Sequence, residues 1–231
     1  MPNNKLSADR DSIKFLITAT VLTILISYLP YGGIVVYPIR LFVTFIHEGG
    51  HALAALATFG AVEKLQISAD GSGVTMTRGG FGPLISSAGY LTTTAFGAAL
   101  LVWCSRGHGA KAVLTVSAAL ILALTAFLAG DPFSWLTGIL LAVGLIWAAI
   151  GLGPRFAHFG LSFLAVQCCL NALFDLRTLF LISATTNLHS DAANMEKMTF
   201  VPAIVWAVVW IAISIFTLIF ALKRYAEGVI K

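Results

Sequence analysis

Long apolar runs, broken by short polar clusters, set the pattern of this chain. The first uncharged run extends from Phe15 to Ile39. A helix that crosses a bilayer needs about 20 apolar residues, so this run is long enough. Its end, Pro30-Tyr31-Gly32-Gly33, should bend or leave the helix, because proline removes a helical hydrogen bond. A second span is expected from Leu41 to Phe59, interrupted by His47, Glu48 and His51. A third runs from Gly79 to Ser105, a fourth from Ala112 to Gly130 and a fifth from Pro132 to Gly153. Only Asp131-Pro132 separates the last two, which reads as a helix cap followed by proline in the first helical position. The sixth, Phe159 to Ser183, contains Asn171, Asp175 and Arg177, and the seventh runs from Phe200 to Leu222.

One segment breaks the helical pattern. Between Ala61 and Arg78, apolar and polar residues alternate on both sides of Asp70-Gly71. Alternation around an Asp-Gly turn signals a β-hairpin. Residues 1–14 form a polar N-terminal tail ahead of a retained first span rather than a cleaved signal peptide. Residues 223–231 form a basic C-terminal tail.

Composition narrows the class. Of 231 residues, 58% are hydrophobic and 10% charged, against roughly 25% charged in ordinary globular chains. The mean hydropathy is +0.92. Such a chain is neither a soluble domain nor disordered, and 3 cysteines exclude a disulfide-rich scaffold. The expected fold is a single all-α polytopic membrane domain of about seven helices, within a range of six to eight, with a short β-hairpin after the second span. The net charge of +4 comes from basic residues scattered singly between apolar runs. It therefore indicates no nucleic-acid partner and fits loop charges that orient membrane proteins. Lys5, Arg10 and Lys14 favour a cytoplasmic N-terminus, yet the C-terminal tail is also basic, which an odd number of spans does not accommodate.

The chemistry concentrates in the second span, at His47-Glu48-Gly49-Gly50-His51. Positions i and i+4 of a helix share one face, so both imidazoles can bind one metal ion, and the glutamate can act as general base on a metal-bound water. This is the H-E-x-x-H pattern of zinc hydrolases. Three ionisable groups inside an apolar span are expensive unless paired or metallated. The competing reading is a hydrogen-bonded polar cluster between helices. Gly49 and Gly50 leave a bare helix face for substrate or for another helix.

A catalytic zinc usually takes three protein ligands. His51 and Asp175 each lie eight residues before the expected end of their spans, Phe59 and Ser183. Four crossings separate those ends, so both residues sit about 12 Å from the same membrane face. Depth thus favours Asp175 as the third ligand, with Asp191 in the polar loop after the sixth span as second choice. Asn171, one turn before Asp175, is a candidate for binding substrate backbone. His189 lies in the same loop as Asp191. Cys168 and Cys169 read as apolar packing residues, and His108 and His158 fall at loops or span ends.

These elements resemble the site-2 protease family of intramembrane zinc metalloproteases. The likeness rests on His47 to His51 in an early span, the hairpin-like segment 61–78, and Asn171 with Asp175 in a later span. Ser190 to Met195 and Thr199 to Trp206 add to a likeness with a compact bacterial branch. The resemblance implies one zinc ion held by His47, His51 and Asp175, with Glu48 activating a zinc-bound water. The family's aspartate normally sits in Leu-Asp-Gly, whereas this chain has Phe174-Asp175-Leu176, and no PDZ or CBS domain accompanies it. The expected activity is hydrolysis of membrane-embedded substrates in a bacterial cytoplasmic membrane. The alternative is a non-proteolytic membrane protein: a transporter or an inactive homologue that acts by binding.

Overall fold

The computed structural model describes residues 3–106, 108–151, 153–185 and 190–230. Eight helices and one hairpin appear among them, in the order α1 (Asn3–Tyr28), α2 (Gly32–Ala57), β1 (Ala61–Ile67), β2 (Gly73–Arg78), α3 (Gly82–Cys104), α4 (Ala110–Leu128), α5 (Pro132–Ile150), α6 (Pro154–Thr185), α7 (Asp191–Thr199) and α8 (Ala203–Ile230). The expected all-α class with one hairpin holds. Five helices, α3, α4, α5, α6 and α8, are long and apolar enough to cross a membrane. The expected seven are not reached on that measure. The described apolar stretch of α1 is the shorter Ile13–Ile26. In α2, Arg40, His47, Glu48 and His51 interrupt the apolar run.

Boundaries shift in physically readable ways. The first helix stops at Tyr28, and Gly32 already begins α2. The run from Ile34 to Ile39 therefore belongs to the helix that carries the histidines, and Pro38 lies inside it. Both terminal tails are largely helical, since α1 starts at Asn3 and α8 continues to Ile230. Asp131 caps α5 as expected: its Oδ1 accepts the Ser134 N–H at 3.0 Å, with Pro132 in the first turn.

Helix α3 lies centrally, packed against α2, α6, α7 and α8. The main core joins Phe42 and Phe45 of α2 to Leu100 of α3, Ile121 of α4 and Leu161 of α6. A second cluster seats α7: its Ala192 and Met195 pack on Leu176 and Leu179 of α6 and Trp210 of α8. Large apolar side chains stand exposed along α5 and α8, among them Leu140, Trp147 and Phe216. In water such faces would drive aggregation; on a spanning bundle they face lipid.

The hairpin pairs antiparallel in a register that runs from Ala61 with Arg78 to Ile67 with Gly73. Gly71 takes a φ of +85° at the turn, a conformation glycine adopts without steric cost. The link between α4 and α5 covers the outer edge of β1. Leu65 bridges Ala129, and the Gly130 N–H donates to the Leu65 carbonyl at 2.9 Å. Among the described residues, β2 pairs with no strand on its other edge.

Candidate metal centre

One helical turn separates His47 from His51 on α2, and their Nε2 atoms lie 3.0 Å apart. Asp191, the first residue of α7, places Oδ2 3.4 Å from His47 Nε2 and 3.3 Å from His51 Nε2. Three donor atoms from two helices thus converge on one point. The Ser190 hydroxyl caps α7 by accepting the Ala193 N–H, which fixes the turn that presents Asp191. A carboxylate is favoured at a helix N-terminus by the aligned peptide dipoles. Burial acts to raise the pKa of the Asp191 carboxyl, but the adjacent imidazoles of His47 and His51 prevail and hold it well below the usual carboxylate range.

The rings are oriented from behind. His51 Nδ1 lies 2.7 Å from the Ile85 carbonyl; a carbonyl only accepts, so Nδ1 carries the proton and Nε2 keeps its lone pair for the centre. His47 meets the Tyr90 ring edge-on at 4.6 Å, and Tyr90 stacks on Trp210 at 5.5 Å. Gly89 of α3 provides the clearance, because a Cβ there would collide with Nε2 of both histidines.

Glu48 is buried beside the triad, and its Oε2 accepts the Thr75 hydroxyl proton at 2.7 Å. The triad and Glu48 line one cavity of about 850 Å³, walled by α2, the hairpin, α3, α6 and α7.

The family model described as peptidase M50B-like matches residues 17–221, which contain every residue of this cavity. The chain belongs to the peptidase M50B-like family. Membership makes it a multi-pass membrane metallopeptidase and agrees with the resemblance to site-2 proteases. No curated protein and no solved structure matches it.

Zinc, the usual metal of M50 peptidases, suits these donors. Tetrahedral zinc with bonds of about 2.0–2.1 Å to nitrogen and oxygen requires donor separations of about 3.3 Å. The three observed separations are 3.0, 3.3 and 3.4 Å. Two imidazole nitrogens and a carboxylate oxygen are also acceptors that repel one another at such range unless a cation or proton lies between them.

In this M50B-like peptidase the carboxylate brought to the two imidazoles is that of Asp191, the second choice from the sequence, with Asp175 the first. Asp175 lines the same cavity from α6 but stands outside the convergent group. Asp175 thus shares a cavity with the histidines, but depth along the helices does not specify which carboxylate faces them. Asn171 also lies apart from the cavity lining, and its Nδ2 donates to the Gln167 carbonyl of its own helix at 2.9 Å. Asn194, one turn after Asp191, lines the cavity instead. Gly49 and Gly50 serve packing: a Cβ on Gly49 would stand 2.7 Å from Leu124 of α4, and one on Gly50 2.8 Å from the Ala88 carbonyl of α3. Cys168 is buried away from the centre, His158 meets the Phe15 ring at a tilt, and His108 is exposed. His189 lies outside the described residues. Thr75, Gly89 and Tyr90 were not legible as site residues, because their roles depend on contacts across the fold.

Proposed function

We propose that this M50B-like peptidase is a zinc-dependent endopeptidase that hydrolyses peptide bonds of membrane-embedded substrates. The observation that carries the reading is the convergence of His47, His51 and Asp191 beside the buried Glu48 in one cavity. His47, His51 and Asp191 would hold one zinc ion. When bound, zinc supplies Lewis acidity that polarises a carbonyl and makes water more acidic.

Glu48 accepts a proton from the attacking water, so that oxygen can bond to the scissile carbonyl carbon. As the C–N bond breaks, Glu48 returns the proton to the leaving amine. The cavity walls admit water to a depth that lipid would otherwise keep dry. A substrate helix has its carbonyls already hydrogen-bonded and must unwind before attack. The edge of β2 that pairs with no strand among the described residues, whose Gly73 and Thr75 line the cavity, supports capture of the unwound segment as an added strand. The partners are thus proteins with transmembrane segments within the bilayer itself, and the expected residence is a bacterial cytoplasmic membrane.

Metal analysis and cleavage of a membrane substrate by the purified protein test this together. Wild type should hold one zinc and cleave, His47→Ala should lose the zinc, and Glu48→Gln should keep the zinc but not cleave. Full proteolysis by Glu48→Gln would remove Glu48 from its role, and zinc binding without any cleavage would favour a binding function.

A further inference from the structure

We infer that β2 carries a built seat for Glu48, in which Thr75 is a positioning residue and Gly73 provides clearance. The inference deepens the proposed reaction and rests on Glu48 being its base. Residues i and i+2 of a strand point to the same side, and here Gly73 and Thr75 both face α2. The Thr75 hydroxyl lies 2.7 Å from Glu48 Oε2 and 3.0 Å from the Glu48 backbone carbonyl. A hydroxyl has one proton to donate, and an ionised carboxylate is the stronger acceptor. The contact therefore fixes one carboxylate oxygen and leaves Oε1 to meet water.

Gly73 supplies the other half. A Cβ at that position would stand 2.7 Å from Glu48 Oε1 and Cγ, and 2.7 Å from Thr44 Cγ2. Any side chain there displaces the carboxylate or lifts the strand. The strand cannot simply drift, because α2 pins the hairpin tip: the Tyr37 hydroxyl donates to the Ala69 carbonyl at 2.6 Å and Thr44 to the Gly71 carbonyl at 2.8 Å. The element expected to receive substrate is thus the one that orients the base. Val74 and Met76 point the opposite way and are exposed, so they take no part in the seat.

The test compares Thr75→Val, which keeps shape and branching but removes the hydroxyl, with Thr75→Ser, which keeps the hydroxyl. Thr75→Val should lower kcat about ten- to hundredfold, the scale of a misplaced catalytic group, with KM within about twofold and zinc content unchanged. Thr75→Ser should recover most of the rate, and Gly73→Ala should lose it with zinc retained. Unchanged kcat in Thr75→Val, or equal losses in the Val and Ser variants, would overturn the inference. A second readout needs no catalysis: paired cysteines Glu48→Cys with Thr75→Cys should cross-link under mild oxidation in membranes, whereas Glu48→Cys with Met76→Cys should not. Absence of the first cross-link overturns the seat. If wild type cleaves nothing, the proposed reaction fails on its own, and the cross-link still decides whether β2 covers residue 48.

Discussion

Replacing Asp191 by asparagine, beside the same change at Asp175, separates the first and second choices that the sequence offers for the third ligand. Asp191→Asn keeps size and an oxygen donor but removes the charge 3.3–3.4 Å from both imidazoles. Changes to groups that only orient a metal ligand weaken metal binding about 10- to 100-fold, so loss of a ligand should exceed about 100-fold. That corresponds to more than about 2.8 kcal/mol at 1.4 kcal/mol per tenfold change. The loss should not come from unfolding. Met195 and Ala192 are 1% and 0% exposed beneath α7, and burial of a methionine alone contributes roughly 2 kcal/mol. The helix should therefore stay seated and the thermal midpoint move little. Asp175→Asn should weaken zinc less than about tenfold, since its carboxylate belongs to the cavity wall rather than to the donor group. Competition against a chelator of known affinity in detergent gives both values. Zinc retained by Asp191→Asn but lost by Asp175→Asn would refute the assignment of the third ligand.

Three further outcomes follow from single contacts. Gly89→Ala should release zinc without unfolding, because the new methyl enters the space between the two Nε2 atoms; Gly144→Ala, with open space at its Cβ, is the control, and equal zinc in both would contradict the geometry. Gly138→Val should destabilise the pairing of α4 and α5 by about 1–3 kcal/mol through overpacking, because a Cβ there already strikes Thr125; the thermal midpoint reads this. Burial opposes ionisation of Asp131, but hydrogen bonds from Ser134 outweigh it and hold the carboxyl below its ordinary value. Its stabilisation is complete above the unfolded value of about 3.9 and is lost as pH falls through that value toward the folded one. Asp131→Ala, which also removes the cap, should cost about 1 kcal/mol near neutral pH and flatten the acid side of the stability profile; an unchanged profile would reject the link.

Much of this architecture is legible in the apolar pattern, because a bilayer-spanning helix is specified by length and hydropathy alone. The hairpin is legible for a different reason: Asp70-Gly71 meets the steric demand of its turn, and strand alternation has period two. What escaped was α7. It has nine residues, too few for a helical period to stand out, and polar positions at Asp191, Asn194, Glu196 and Lys197 make it read as loop. Its signal was the cap, since Ser190 followed by Asp191 is a helix start. Reading that cap would have moved the carboxylate from a flexible loop to a defined turn.

The approach of Asp191 rather than Asp175 to the histidines and the missed helix have one physical origin. A spanning helix can supply His47, Glu48 and His51, but its own hydrogen bonds occupy the backbone, and its neighbours are selected for apolar packing. Beside the Ile85 carbonyl of α3, which holds His51, the polar supports come from segments that do not span. Here α7 contributes Asp191, while β2 contributes Thr75. Both are short and polar; β2 packs on α2 and α7 reaches it through Asp191, and so they offset the cost of ionisable groups inside an apolar bundle. The charged residues that disqualify α2 as a simple apolar span are therefore the same ones around which the hairpin and α7 assemble. Removing those side chains together should make α2 read as an ordinary span while leaving Thr75 and Asp191 without their polar partners.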